Sequence, residues 1–94
     1  MTDSSRNAKR FVISGRVQGV GFRYFVRQQA LALRLAGWVR NLPDGRVEAF
    51  VEGPSSEIDS IEQRLREGPS GSHVEDLDIS NAAPSLAADF KIRG

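Results

Sequence analysis

The fold of this chain is most constrained by the stretch GRVQGVGFR at residues 15–23, because the hydrophobic period changes across it. Before this stretch, the apolar run at residues 11–13 predicts a short strand buried on both faces. After it, apolar residues recur at helical spacing from Phe22 to Leu33, which predicts an amphipathic helix of about three turns. Glycines at 15, 19 and 21 allow positive φ, so consecutive N–H groups could converge on one anion.

Arg23 lies in the first turn of that predicted helix, at the positive end of the helix dipole, where a cation is unfavourable. A bound phosphate would make the position favourable, since a guanidinium offers a planar fork of donors. The alternative is a strand-to-helix loop whose glycines serve only its tight geometry. The stretch lacks the GK[ST] ending of a Walker loop, and Tyr24 stands where GxGxxG requires a third glycine, so ATP and NAD sites are disfavoured.

Composition limits the chain to one domain and excludes several kinds of site. The 94 residues, 39% of them apolar, suffice for one hydrophobic core. Thirteen basic and twelve acidic residues leave a charge of +1, so no long-range field favours nucleic acid or an anionic membrane. The chain has no cysteine, which fits a reducing cytoplasm, and its one histidine, His73, cannot alone form a metal site or a triad.

The polar residues 1–9 are predicted to be a disordered lead-in, followed by a single domain over residues 10–94. No apolar h-region or membrane-length segment is present in the sequence.

The rest of the chain reads as an alternation of strands and one helix. We expect the first helix to end at Gly37 and residues 38–42 to form the second strand. Pro-Asp-Gly at 43–45 is predicted to form a turn that leads to a third strand at 46–52. Alternation along that strand predicts one face on the core. Ser56 is the predicted N-cap of a second helix ending at Gly68, with a rival start at residues 53–54. Strands at 74–79 and 90–93 follow, separated by a loop at 81–88.

This order, β-α-β-β-α-β with a short C-terminal strand, predicts an α+β ferredoxin-like sandwich with two helices on one face of a mainly antiparallel sheet. Right-handed crossovers bring the first and third strands to the centre. The fold alone does not determine function. An RNA-binding sheet would present stacked aromatic residues, whereas the third strand carries Glu48 and Glu52 beside a lone Phe50.

Asn41 interrupts a strand of good β-formers, where asparagine is unfavourable. It could initiate the following turn, but Asp44-Gly45 already supplies turn chemistry. A carboxamide both donates and accepts hydrogen bonds, so it could hold a water without placing a negative charge near a phosphate.

Several motifs together resemble the acylphosphatase family over nearly the whole chain from Phe11. These are GRVQGVGFR at 15–23, GWVRN at 37–41, LPDG at 42–45, VEG at 51–53, GP at 68–69 and FKIR at 90–93. The resemblance implies a small cytoplasmic hydrolase that cleaves the carboxyl-phosphate bond of acyl phosphates by direct in-line water attack. One departure is Arg34, where many members have glycine near the end of the first helix.

The same resemblance implies the roles of individual residues. Arg23 corresponds to the phosphate-binding arginine, and Asn41 to the residue that positions the attacking water. The phosphate-binding loop is supplied by Gln18, Gly19, Val20, Gly21 and Phe22. We expect no metal and no cofactor, a small-molecule acyl phosphate as substrate, no nucleic-acid or membrane partner, and a monomer. A non-catalytic anion- or ligand-binding module of the same fold is the alternative.

Overall fold

The order of strands and helices matches the predicted one in the computed structural model, which describes residues 6–93. The elements are β1 (Arg6–Arg16), α1 (Phe22–Ala32), β2 (Ala36–Asn41), β3 (Val47–Pro54), α2 (Ser55–Glu67), β4 (His73–Ala82) and β5 (Phe90–Ile92). The strands form one sheet in the order β4-β1-β3-β2-β5. The two helices pack on the sheet and contact each other, so the predicted ferredoxin-like α+β sandwich is confirmed.

Strand direction brings three chain segments to one end of the sheet. β1 and β3 are the central pair, as predicted, and β3 runs antiparallel to both β1 and β2. β5 runs parallel to β2 at the edge. The carboxyl ends of β1, β2 and β5 therefore lie at the same end of the sheet, which places the glycine loop after β1 near the last residues of β2 and β5.

The hydrophobic core lies between the sheet and the helices, because each element turns its apolar face inward. Both helices have the predicted spacing of about one buried residue per turn. Truncating a buried isoleucine or leucine of this kind to alanine typically costs about 2–5 kcal/mol. The buried helical residues are Phe22, Val26 and Ala30 in α1 and Ile58, Ile61 and Leu65 in α2.

The prediction of a disordered lead-in is wrong for residues 6–9, which belong to β1. They pair with the end of β3, from Arg6 opposite Pro54 to Lys9 opposite Val51. The polar sequence of these residues gave no indication of a strand. The strand is held by backbone pairing and by an ion pair of 3.1 Å between Arg6 and Glu52. Residues 1–5 of the predicted lead-in lie outside the described residues.

The end of α1 also differs from the prediction, since the helix stops at Ala32 and not at Gly37. Arg34 has a φ of 58°, the left-handed conformation that usually ends a helix at glycine. Gly37 instead lies inside β2, where a Cβ would come within 1.8 Å of the carbonyl oxygen of Phe50. Glycine is required there because the backbones of β2 and β3 approach closely.

Two further boundaries shift. α2 begins at Ser55 with Pro54 as its N-cap. The observed cap therefore agrees with the rival start at residues 53–54 and not with the predicted cap at Ser56. A proline cap fits because the φ of Pro54 is already fixed near −63°. β4 continues to Ala82 through pairing with β1, which shortens the predicted loop. The end of α2 before Gly68 is confirmed, with Gly68 at a φ of 71°.

Candidate active site

A cavity of about 150 Å³ lies at the carboxyl end of β2, beside the N-terminus of α1. It brings together residues that are distant in the sequence, including five of the seven predicted site residues. Gln18 and Val20 do not line it, and Val20 packs against the core instead. The lining consists of Val17, Gly19, Gly21, Phe22, Arg23, Tyr24 and Asn41.

The loop before α1 contains two glycines in the left-handed region, a conformation that occurs in anion-binding nests. Gly19 and Gly21 have φ values of 77° and 78°, with Val20 between them. Gly21 is also the N-cap of α1 and offers no side-chain acceptor to the helix. Residues 18–21 form a turn, and within residues 6–93 the N–H groups of residues 19–24 donate no backbone hydrogen bond of standard length and angle. Such a run of N–H groups at the positive end of a helix dipole favours an anion.

The need for glycine in this loop is conformational. A Cβ at Gly19 or Gly21 would meet no protein atom within 4 Å, so space within the protein does not exclude a side chain. Positive φ remains costly for any other residue. Glycine is therefore favoured at both positions by the positive φ of the backbone.

Arg23 is the second residue of α1 and is half-buried beside the loop. Its Nη1 donates to the carbonyl oxygen of Arg93, just beyond β5, at 3.4 Å. The first turn of α1 contains no acidic residue, and Arg23 makes no ion pair in the part of the chain that the structure describes. Most of its donors are therefore available to an anion in the cavity.

Asn41 is the last residue of β2, paired with Val47 of β3. Its side chain is half-buried and borders the cavity. No hydrogen bond engages its amide among residues 6–93. Because the turn at 43–45 is closed by the backbone bond from Gly45 N–H to the Leu42 carbonyl at 3.2 Å, the Asn41 side chain is not needed to form it.

Two lining residues escaped the sequence analysis. Val17 is buried between β1 and the glycine loop and carries no distinctive signal in the sequence. Tyr24 is 71% exposed at the rim of the cavity, although its position on the polar side of the helical period made it look like an ordinary surface residue.

The lining that residues 6–93 contribute to the cavity contains no carboxylate side chain, which favours an anionic ligand. The acidic group next along the chain, Asp44, is held in the turn by hydrogen bonds from the backbone N–H of Arg46 at 3.1 Å and from its Nε at 2.8 Å. The backbone bond is the main reason that the pKa of Asp44 is lowered. Among residues 6–93, no three His, Cys, Asp or Glu side chains are grouped to hold a metal ion.

Comparison with known proteins identifies the family. A family model for acylphosphatase matches residues 9–92. The chain belongs to the acylphosphatase family. The acylphosphatase of Koribacter versatilis is 43% identical over 95 residues, covering 100% of this chain and 86% of that protein. The acylphosphatase of Acaryochloris marina is 52% identical over 81 residues, covering 86% of this chain and 87% of that protein.

Solved structures lead to the same family. The crystal structure of acylphosphatase from Bacillus subtilis matches with a TM-score of 0.92 and 39% identity, over 94% of this chain and 99% of that one. These relatives support acylphosphatase function, and none supports the alternative of a non-catalytic binding module. Neither helix within residues 6–93 is long and apolar enough to span a membrane.

Proposed function

We propose that this acylphosphatase family member hydrolyses acyl phosphates with three groups that border one cavity. Arg23 and the N–H groups of residues 19–24 bind the phosphoryl group, and the amide of Asn41 holds the attacking water. The observation that carries the proposal is that three groups share the lining of that cavity: the Arg23 guanidinium, the backbone of Gly19 and Gly21, and the Asn41 amide. Within residues 6–93, the guanidinium makes no ion pair, the two glycine N–H groups donate no backbone hydrogen bond, and the amide makes no hydrogen bond.

The chemistry needs positioning more than acid-base catalysis. The carboxylate of an acyl phosphate is a good leaving group, so no covalent nucleophile is required. Water adds to phosphorus as the bond from phosphorus to the carboxylate oxygen breaks. The carboxylate leaves with the electron pair of that bond, and both protons of the water leave with the inorganic phosphate. Arg23 and the loop N–H groups stabilise charge on the equatorial oxygens of the loose transition state. Asn41 reduces the entropic cost of placing the water in line.

We further propose that the reaction is independent of metal ions. Among residues 6–93, the cavity lining offers no carboxylate, imidazole or thiolate side chain, and hard cations such as Mg²⁺ prefer carboxylate oxygens. The guanidinium and the helix N-terminus supply the positive charge that a metal ion supplies elsewhere. We also propose that the protein is a cytoplasmic monomer that binds neither nucleic acid nor membranes. The absence of cysteine fits a reducing compartment, and a net charge of +1 gives no long-range attraction to nucleic acid or to an anionic membrane.

Phosphate release from benzoyl phosphate tests this function. We expect hydrolysis that persists in excess EDTA and is inhibited competitively by inorganic phosphate, because the cavity recognises the transferred group. Loss of activity in EDTA with recovery in Mg²⁺ would contradict metal independence. Hydrolysis without inhibition by phosphate would contradict the proposed phosphate cradle, by which we mean Arg23 and the N–H groups of residues 19–24. A folded protein that releases no phosphate would contradict the activity itself.

A further inference from the structure

Gln18 precedes the cradle in the sequence, yet its side chain turns away from the cavity. The Nε2 atom donates one hydrogen bond to the carbonyl oxygen of Leu42 at 2.8 Å and a second to that of Arg46 at 2.9 Å. Both acceptors belong to the hairpin between β2 and β3, 24 and 28 residues further along the chain. A single amide thus joins the glycine loop to this hairpin.

Gln18 and its acceptor Leu42 are each the sequence neighbour of a residue in the proposed site. Gln18 is the neighbour of Gly19, where the cradle begins, and Leu42 is the neighbour of Asn41. Within the described residues, the bonds of Gln18 are the side-chain hydrogen bonds that connect residues 17–24 to residues 41–46. Arg23, by comparison, bonds to the chain beyond β5.

The hairpin does not depend on Gln18 for its own closure. The carbonyl of Leu42 also accepts from Gly45 N–H at 3.2 Å, and that of Arg46 also accepts from Leu42 N–H at 2.8 Å. Each oxygen would therefore keep a partner if the Gln18 amide were removed. No buried acceptor would be left unsatisfied, so the expected loss of stability is small.

We propose that Gln18 is a positioning residue that holds Asn41 in register with the phosphate cradle. The inference rests on the proposed function, because it assumes that the cradle binds phosphate and that Asn41 orients water. Gln18 does not touch the cavity, so it acts on the reaction through the placement of Asn41. Misplacing a reacting group by about 1 Å can lower a rate by up to about 10²-fold.

Replacement of Gln18 by methionine removes both hydrogen bonds while keeping a side chain of similar length. In Gln18→Met we expect kcat to fall about tenfold, with the inhibition constant of phosphate changed by less than about twofold. The matched control is Gln28→Met, the same change at an exposed glutamine on the surface of α1, which should leave both constants unchanged. Circular dichroism and thermal unfolding establish that each variant is folded.

A double-mutant cycle with Asn41→Ala separates positioning from a general effect on the fold. If Gln18 acts through Asn41, adding Gln18→Met to Asn41→Ala should lower kcat no further. The proposal would be overturned if the two substitutions lowered kcat by the product of their separate effects. It would also be overturned by a wild-type kcat in folded Gln18→Met, or by a rise in the phosphate inhibition constant as large as the fall in kcat. Wild-type kcat in Asn41→Ala would overturn the proposed role of Asn41 and this inference with it, which distinguishes the two failures.

Discussion

Ser85 donates a hydrogen bond of 2.6 Å from its hydroxyl group to the carboxylate of Glu52. Ser85 lies in the connection that carries the chain from β4 at one edge of the sheet to β5 at the other. Glu52 is fully buried in β3 and also accepts from the backbone N–H groups of Ser85, Leu86 and Ala87 and from Arg6. This carboxylate therefore fixes the path of the chain toward β5, which ends beside Arg23.

The pKa of Glu52 leads to a prediction of how the stability of the protein depends on pH. Burial raises the pKa of Glu52, but the hydrogen bonds from Ser85, Ala87 and Leu86 outweigh burial, and the pKa is lowered. A lowered folded-state pKa stabilises the protein above the ordinary value of about 4.5, and this contribution is lost as the pH falls through the folded-state value. Thermal unfolding should therefore show a Tm that falls on acidification below about pH 4.5.

Glu52→Gln should weaken this pH dependence, because an amide does not titrate. It should also lower the free energy of unfolding at neutral pH by about 2–3 kcal/mol, since an amide cannot accept all of these bonds with full charge. The control is Glu67→Gln, at an exposed position near the end of α2. An unchanged pH slope in Glu52→Gln would show that other groups, such as Glu48, cause the acid sensitivity.

Arg23→Ala should weaken phosphate binding and lower kcat by about 10² or more, the scale for removal of one preorganised oxyanion donor. Arg23→Lys should restore little, because an ammonium cannot form a bidentate fork. The matched control is Arg27→Ala, one turn along α1. Arg27 also donates to a backbone carbonyl, that of Phe90 in β5 at 3.2 Å, but does not line the cavity. Retention of both constants in Arg23→Ala would refute the site.

Asn41→Ala should lower kcat by about 10² or more while the inhibition constant of phosphate changes little, because a residue that orients water contributes mainly to the transition state. Asn41→Asp should be no better, since its carboxylate would lie near the anionic substrate. Both constants should be measured on folded protein, with Asn81→Ala as an exposed control. A normal kcat in Asn41→Ala would show that Asn41 does not orient the attacking water and serves only to end the strand.

Arg34→Gly should stabilise the protein. Arg34 is exposed and has a φ of 58°, a conformation that costs a residue other than glycine about 1–2 kcal/mol, partly offset by the larger backbone entropy of glycine. We expect a gain of about 0.5–1 kcal/mol, or a rise in Tm of about 2–8 °C. Arg34→Ala, which removes the side chain but keeps the strained φ, should give no such gain. Equal Tm values for the two variants would contradict this explanation.

The sequence was sufficient for properties that depend on neighbouring residues. The change from strand to helical period across residues 15–23 located the loop, and the order of elements led to the ferredoxin-like topology. The glycines at 19 and 21 also showed where positive φ is permitted, because this backbone freedom is a property of the residue itself. The resemblance to acylphosphatases named Arg23 and Asn41, and their roles stay predictions for the experiments above.

Only the tertiary structure decided the contacts between distant segments. The residues at the start of β1 look like a polar tail and become a strand because β3 lies beside them. Glu48 and Glu52 look like the solvent-facing half of an alternating strand, yet both are buried, at 3% and 0% exposure. Glu48 accepts bonds from Arg10 and Arg40 on the two flanking strands, and no local pattern encodes such partners.

The same reason explains what the sequence could not show about the site. The sequence separation is 70 between Arg23 and Arg93 and 24 between Gln18 and Leu42. Periodicity and turn chemistry describe a few consecutive residues, whereas these bonds arise only when β1, β2 and β5 end at the same end of the sheet. The sequence alone determined which groups were available, and the packing of the strands decided which of them meet.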